Sequence, residues 1–236
     1  MTRVTFIAHS CFAVESDGAL IVFDYWKDSP DRKLHTLLQE NSKPLYFVVS
    51  HFHEDHYNPA ILGIEGARLL LSYDTARRRR VDKHLPYAIL HPGDDYEDEC
   101  LKLHACSSTD VGMSSLVTLP DGTTLYHAGD NNNWYFPHDE EEHIRCSVDE
   151  MEGMFMSNLR EVRNLVKSVD HVMFPIDPRL ESEMLRGACQ WLQQIKTGHL
   201  YPMHTWDCWK EVNEGVRELR DLFPETQIGN RIFFKN

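Results

Sequence analysis

The sequence has no apolar stretch near the ~20 residues a helix needs to cross a bilayer, and no Cys-x-x-Cys pair. Its six cysteines (Cys11, Cys100, Cys106, Cys146, Cys189 and Cys208) follow no regular spacing, so free thiols are expected rather than a disulfide framework. Basic charge is scarce, with 24 Lys and Arg against 37 Asp and Glu and a formal net charge of −13. Such a field repels polyanions, so nucleic acid is not an expected partner. The one basic run, Arg77 to Arg80, lies near Asp74 and Asp82 and reads as a solvated helix face. Met1 to Ile7 alternates like a strand and lacks the apolar segment of a signal peptide, which points to a cytoplasmic protein with no membrane partner. Repeats, low-complexity segments and linkers are also missing, and the 236 residues are expected to form one domain, 1–236.

What is present is a succession of short apolar runs and amphipathic stretches. Thr2 to Val14 and Ala19 to Tyr25, separated by Glu15-Ser16-Asp17-Gly18, read as a hairpin. Pro30 to Glu40 has helical spacing, and Leu45 to Val49 and Ala67 to Tyr73 are runs of the kind buried in a sheet. Cys100 to His104, Ser114 to Leu119 and Thr123 to His127 continue the strands. Asp139 to Val169 is mostly helical in composition, with Met151, Met154, Phe155, Leu159, Val162, Leu165 and Val166 near a 3.6-residue period, a stripe that reads as core or as a lid over the site. Beyond it come a strand at His171 to Ile176, a helix at Ser182 to Lys196, a strand at Leu200 to Met203, a helix at Trp209 to Leu222 and a final strand at Gln227 to Phe234. Strands, then strands mixed with helices, in one unbroken chain suggest a layered α/β sandwich.

Fourteen histidines is a high count, and three fall in six residues, His51-Phe52-His53-Glu54-Asp55-His56, directly after the Leu45 to Val49 run. Residues i and i+2 of an extended segment point to one side, so His51 and His53 can reach one ion. A turn near Asp55 would aim Asp55 and His56 at a second. Imidazole and carboxylate donors without cysteine suit zinc, with manganese or iron as substitutes. Glu54 is out of phase with His53 and reads as solvated. His127 and His171, inside apolar runs, read as core histidines with satisfied hydrogen bonds. His35, His84, His91, His138, His143 and His199 read as surface residues. His9-Ser10 is either a polar turn or a support for the site, and Asp24 either a support or a helix cap; Asp177, Arg179 and Trp206 are candidates to line the pocket.

The His51 to His56 segment resembles the HxHxDH signature of the metallo-β-lactamase superfamily, all four fixed positions agreeing. Leu125 to Asp130 resembles that superfamily's strand ending in Gly-Asp, and Tyr201-Pro202-Met203-His204 its late strand ending in a metal-binding histidine. The order and separation of the three landmarks also match, so the resemblance covers nearly the whole chain. It is nearest to the hydrolase-like branch related to the ascorbate-6-phosphate lactonases. Histidine at 53, where the flavodiiron branch carries glutamate, separates this chain from the oxygen-reducing relatives.

The resemblance implies a four-layer αββα sandwich and two divalent metal ions. His51 and His53 would bind the first ion, Asp55, His56 and His204 the second, and Asp130 would bridge them. Relatives add a further histidine to the first ion from a turn that here reads Ser107 to Ser114 and holds none. Asp110 is the expected replacement and His104 the runner-up. The expected reaction is hydrolysis of a small-molecule ester, lactone, amide or phosphodiester, by hydroxide generated at the metal and oriented by Asp55. Two other readings belong to different classes: a metal-binding protein without hydrolytic activity, suggested by the missing histidine, and a nuclease, disfavoured by the charge.

Overall fold

The computed structural model describes residues 2–82, 84–85, 87–136 and 146–229. The N-terminal half builds a six-stranded sheet from β1 (Arg3–Ala8), β2 (Cys11–Glu15), β3 (Leu20–Phe23), β4 (Leu45–Val49), β5 (Ala67–Ser72) and β6 (Tyr87–Leu90), paired in that order. Helices α1 (Lys33–Glu40) and α2 (Tyr73–Arg78) interrupt it. A seven-stranded sheet follows, from β7 (Asp95–Glu97), β8 (Lys102–Cys106), β9 (Ser114–Thr118), β10 (Thr124–His127), β11 (Ser168–Pro175), β12 (Lys196–Met203) and β13 (Gln227–Ile228), again neighbours in chain order. Helices α3 (Val148–Leu165), α4 (Arg186–Gln194) and α5 (Trp209–Leu222) accompany the second sheet.

Alternation along the strands makes the layers. In β4, Tyr46 and Val48 join the core shared with Leu103, Val117 and Leu125 of the second sheet, whereas Leu45, Phe47 and Val49 face Leu34 of α1 and Ile61. Phe155, Leu159 and Val162 of α3, Trp191 of α4 and Val212, Val216 and Leu219 of α5 close the far side of the second sheet. Tyr126 and Trp191 stack there with ring centroids 4.3 Å apart. The result is the expected αββα sandwich. In each sheet the antiparallel strands come first and the parallel ones later: β3 to β6 run parallel, as do β10 to β13. In both halves the site residues follow the C-terminal ends of these strands.

Several sequence expectations shift. The run from Thr2 to Val14 is two strands, because His9 takes a left-handed backbone (φ 53°) and breaks it; the hairpin turn at Ser16 to Gly18 joins β2 to β3. The helix expected from Ser182 starts only at Arg186: Pro178 to Glu183 is a 3-10 turn in which Glu181 leaves helical geometry (φ 49°). β12 begins at Lys196 rather than Leu200, since its polar first half pairs in register with Ser168 to His171. α5 matches its expected bounds. The first part of the helical stretch expected from Asp139, together with His138, His143 and the strand beyond 229, lies outside the described residues.

Candidate metal centre

β4 delivers its last buried residue, Val49, and the chain then turns into the histidine segment. The carbonyl of His53 accepts from the backbone N–H groups of His56 and Tyr57, both at 3.1 Å, and this tight turn swings Asp55 and His56 inward. α2 clamps the segment from outside. Asp74 Oδ2 accepts from the Phe52 N–H at 3.1 Å, and Arg79 Nε donates to the Phe52 carbonyl at 2.8 Å. Arg77, Arg78 and Arg80 are exposed as the basic run predicts, but Arg79 is half-buried against the loop. From the other sheet, β10 ends at His127 and Gly129 (φ 55°) turns the chain so that Asp130 points into the same space. A Cβ on Gly129 would sit 2.7 Å from Ser50 Cβ, so the two sheets touch directly beneath the site. β12 ends at Met203, and His204 follows in the left-handed region (φ 59°), its N–H donating to the His9 carbonyl at 3.2 Å.

Two groups of donor atoms result. His51, His53, Asp110 and Asp130 form one, and His9, Asp55, His56 and His204 the other, the atoms within each lying within 4.8 Å of one another. Asp130 faces both: Oδ2 is 3.5 Å from His51 Nε2, and Oδ1 is 3.1 Å from His56 Nε2 and 3.5 Å from His204 Nε2. Asp110 Oδ2 lies 3.5 Å from His53 Nδ1. The loop bearing it is fixed by Thr109, whose hydroxyl donates to the Asn132 carbonyl at 2.7 Å. All seven residues expected from the sequence are therefore brought together. The runner-up, His104, is not among them; it sits on β8, its Nδ1 2.8 Å from Asp95. Glu54 is exposed and points away, as expected.

His9 is the residue that sequence reading undervalued. It is buried, and its Nε2 stands 3.2 Å from Asp55 Oδ2. Its only local signal was a polar His-Ser step interrupting an apolar run. Asp24 and Asp177 prove to be supports. His56 Nδ1–H donates to Asp24 Oδ2 at 2.7 Å, and His204 Nδ1–H donates to Asp177 Oδ2 at 2.8 Å. Ser50 Oγ–H donates to Asp24 Oδ2 at 2.6 Å, which leaves Ser50 Oγ to accept from His51 Nδ1–H at 2.9 Å. In all three histidines Nδ1 is spoken for, so the unprotonated lone pair is at Nε2, aimed inward. His127, by contrast, is a core histidine: Nε2–H donates to the Ser10 carbonyl at 2.8 Å, and Nδ1 accepts from Gly129 N–H at 3.2 Å.

The electrostatics are those of a site built around positive charge. Burial opposes ionisation of Asp130, but His56, His204 and His51 outweigh it and hold its carboxyl well below the usual range. Asp55 behaves alike, with burial overcome chiefly by the His9 contact. Asp177 is held down at about 2, burial being outweighed by His204 and Arg179. Burial, reinforced by His56, pushes His51 down to about 3, so its imidazole is neutral at any ordinary pH. Burial lowers His9 as well. His56 goes the other way, because Asp130 and Asp24 outweigh its burial. The decisive observation concerns hydrogen bonds. His9 Nε2, His56 Nε2, His204 Nε2 and Asp130 Oδ1 are all buried and none makes one. Their close approaches lack hydrogen-bond alignment, and four such atoms turned on one point are too costly to leave unsatisfied. The donor set fits a divalent cation.

Beside the centre lies a cavity of about 150 Å³ lined by His9, Trp26, Lys27, Trp206 and Asp207. Lys27 Nζ sits 4.1 Å from the Trp26 ring centroid and the Arg179 guanidinium 4.7 Å from that of Trp206. Trp134 closes another side, its Nε1–H donating to the Asp130 carbonyl at 2.8 Å and its ring 5.5 Å from that of His204. A larger concavity of about 700 Å³ along Ile61 to Leu70 holds none of the donor residues.

The chain falls in a known class. The family profile of the beta-lactamase superfamily domain covers residues 3–149, more than half of the chain, and the chain belongs to that family. It is similar to a UPF0173 metal-dependent hydrolase of Nitratidesulfovibrio vulgaris (strain DP4), 31% identical over 142 residues that take in 55% of this chain. The chain spans only 59% of that relative's length. It is similar over 95% of its length, at 22% identity, to a UPF0173 metal-dependent hydrolase of Pyrococcus furiosus, covering 93% of that protein. Among solved structures it resembles Igni18, a metallo hydrolase from Ignicoccus hospitalis, with a TM-score of 0.70 and 19% identity over 96% of this chain and 93% of that one. It also resembles CmlA, a diiron β-hydroxylase from Streptomyces venezuelae, with a TM-score of 0.67 and 11% identity over 97% of this chain and 52% of that one. At such identities the structural likeness speaks for the fold alone. Asp177 and His204 lie beyond the family-matched residues.

Proposed function

We propose that the chain is a metal-dependent hydrolase that holds two divalent ions, zinc foremost with manganese or iron as alternatives, and cleaves a small-molecule ester, lactone, amide or phosphodiester. The observation that carries this reading is the set of buried, unpartnered donor atoms His9 Nε2, His56 Nε2, His204 Nε2 and Asp130 Oδ1, with a second donor group of His51, His53 and Asp110 across Asp130, in which His51 Nε2 accepts from His53 Nδ1–H at 2.9 Å. His51, His53 and Asp110 would hold one ion, Asp55, His56 and His204 the other, and Asp130 both. His9 would be an added donor to the second group. Nitrogen and oxygen donors without sulfur fit all three metals. The relatives named as metal-dependent hydrolases support the reaction class, and histidine at 53 supports the hydrolase-like branch related to ascorbate-6-phosphate lactonases.

When bound, such ions lower the pKa of a water molecule and polarise the oxygen of the scissile bond. The chain's own residues supply the rest. Asp55, ionised through its contact with His9, offers Oδ2 to orient a water proton. Trp26, Trp134 and Trp206 wall the space. Lys27 and Arg179 at the rim favour a substrate carrying negative charge or developing it on a leaving group. The 150 Å³ recess suits a small molecule, and the charge of −13 argues against nucleic acid. Six free cysteines suit a reducing compartment such as the cytoplasm. Because the donors come from both sheets, we read residues 1–236 as one domain.

The test has two arms. Metal content measured on the purified chain should fall sharply in both His51→Ala and Asp130→Ala; normal loading in both removes the site assignment. Ester, lactone, amide and phosphodiester probes are then assayed with and without chelator. Chelator-sensitive turnover on one class is expected, whereas full metal loading with no turnover on any class overturns the hydrolase reading and leaves a metal-binding protein.

A further inference from the structure

The sequence singled out His104, and the centre does not use it. It lies on β8 two residues from Cys106, so the two side chains leave the same face of the strand, the one covered by α3. From α3, Glu161 reaches back to this face: the Ser107 N–H donates to its two carboxylate oxygens at 3.3 and 3.2 Å. We propose that His104, Cys106 and Glu161 form a separate cation site on the outer face of the second sheet, for a thiophilic divalent ion such as Zn2+.

Their donor atoms lie within 4.8 Å of one another, and none belongs to the donor groups around Asp130. His104 is oriented as a ligand is. Its Nδ1–H donates to Asp95 Oδ1 at 2.8 Å, which turns Nε2 towards Glu161 Oε1 at 4.0 Å. A carboxylate behind a ligating histidine is the usual means of fixing its tautomer and raising its basicity. With metal–ligand bonds of about 2.0–2.3 Å, donors around one tetrahedral ion stand about 3.3–3.8 Å apart. From the 4.8 Å limit the three groups need close by about 1.0–1.5 Å at most to meet that spacing.

Cys106 is fully buried, and its thiol makes a weak contact with the His104 carbonyl at 3.9 Å. Burial and the nearby Glu161 push the thiol pKa up, so without a cation it is a neutral thiol; an ion would be bound with loss of that proton. Nitrogen, sulfur and oxygen from three side chains leave a fourth position for water at the partly exposed edge between His104 and Glu161. Occupied, the site would pin α3 to β8 at the root of the loop that carries Asp110.

Cobalt(II) added to the metal-free full-length chain tests this independently of the proposed activity. The central donors are all nitrogen and oxygen, so a near-ultraviolet thiolate-to-cobalt charge-transfer band reports a cysteine ligand alone. The band is expected in the wild type, in His51→Ala and in Cys208→Ser, and is expected to vanish in Cys106→Ser, which keeps its central metal. His104→Gln should weaken cobalt binding in this band about tenfold or more, with an unchanged circular dichroism spectrum. Absence of the band in the folded wild type overturns the proposal. So does its persistence in Cys106→Ser, or, should that variant not fold, an undiminished affinity in His104→Gln; His104 would then be only an ion-pair bridge between Asp95 and Glu161.

Discussion

Asp24 Oδ2 receives the Nδ1–H of His56 at 2.7 Å and the hydroxyl of Ser50 at 2.6 Å, so one buried carboxylate orients two histidines of the metal centre, His56 directly and His51 through Ser50. Asp177 does the same for His204 from the other sheet. Neither aspartate belongs to the expected set of ligands, yet both decide which nitrogen faces the proposed ion.

Asp24→Asn should therefore reduce metal affinity by about 10–100-fold while leaving all seven expected ligands in place. Competition against a chromophoric chelator measures it. An affinity equal to wild type would mean that ring packing alone orients His51 and His56.

Asp110→Ala should weaken one metal more than the other, read as a two-step loss of metal on titration with chelator. His104→Ala should leave both central ions at wild-type affinity. If His104→Ala instead removes a central ion, the histidine missing from the Ser107 to Ser114 turn has been replaced from β8 and not by Asp110.

Gly112 has φ +79°, and a Cβ there would lie 2.0 Å from the Ser50 carbonyl and 2.6 Å from His51 Cβ. Gly112→Ala should cost about 1–2 kcal/mol for the left-handed backbone alone, with the clash added to it. Because the collision falls on His51 itself, metal content should drop along with the denaturation midpoint. A stable variant with full metal would show that the 107–113 loop can move away from β4 without harm.

Near the other end of β4, Asp98 Oδ2 accepts from Tyr46, Tyr96 and Arg68, and Oδ1 from the Cys100 and Leu101 N–H groups. Burial opposes its ionisation, but the Tyr96 bond and the others hold the carboxyl below its usual value. A carboxyl with a lower pKa folded than unfolded contributes stability in full above the unfolded value, about 3.9, and loses it as pH falls through the folded value. Asp98→Asn should cost about 2 kcal/mol at neutral pH, and the gap to wild type should narrow below about pH 4. Urea unfolding at several pH values checks the trend; a gap that widens on acidification would contradict it.

What could be read in advance follows from locality. The His51 to His56 segment announces itself because donors crowd one short stretch after an apolar strand, and α5 because its period is clean from Trp209 to Leu222. Asp130 and His204 were legible only through their resemblance to known strand endings. His9 carries no such pattern: it matters because a left-handed kink between β1 and β2 turns one imidazole towards Asp55, 46 positions later in the sequence. Asp24 and Asp177 are lone carboxylates whose partners lie 32 and 27 residues away. The late start of α4 was equally hidden, since composition does not register the non-helical φ of Glu181.

The direct contact of Gly129 with Ser50, where the crests of the two sheets meet, bears on how the protein comes into being. A chain emerging from the ribosome exposes His51 to His56 before Asp130 and His204, so the nascent molecule holds only part of the donor set until those have emerged. Ion capture at full strength must wait until the second sheet docks on the first. Metal occupancy would then serve as a readout of finished assembly, and added metal should do little for a variant whose second sheet never forms.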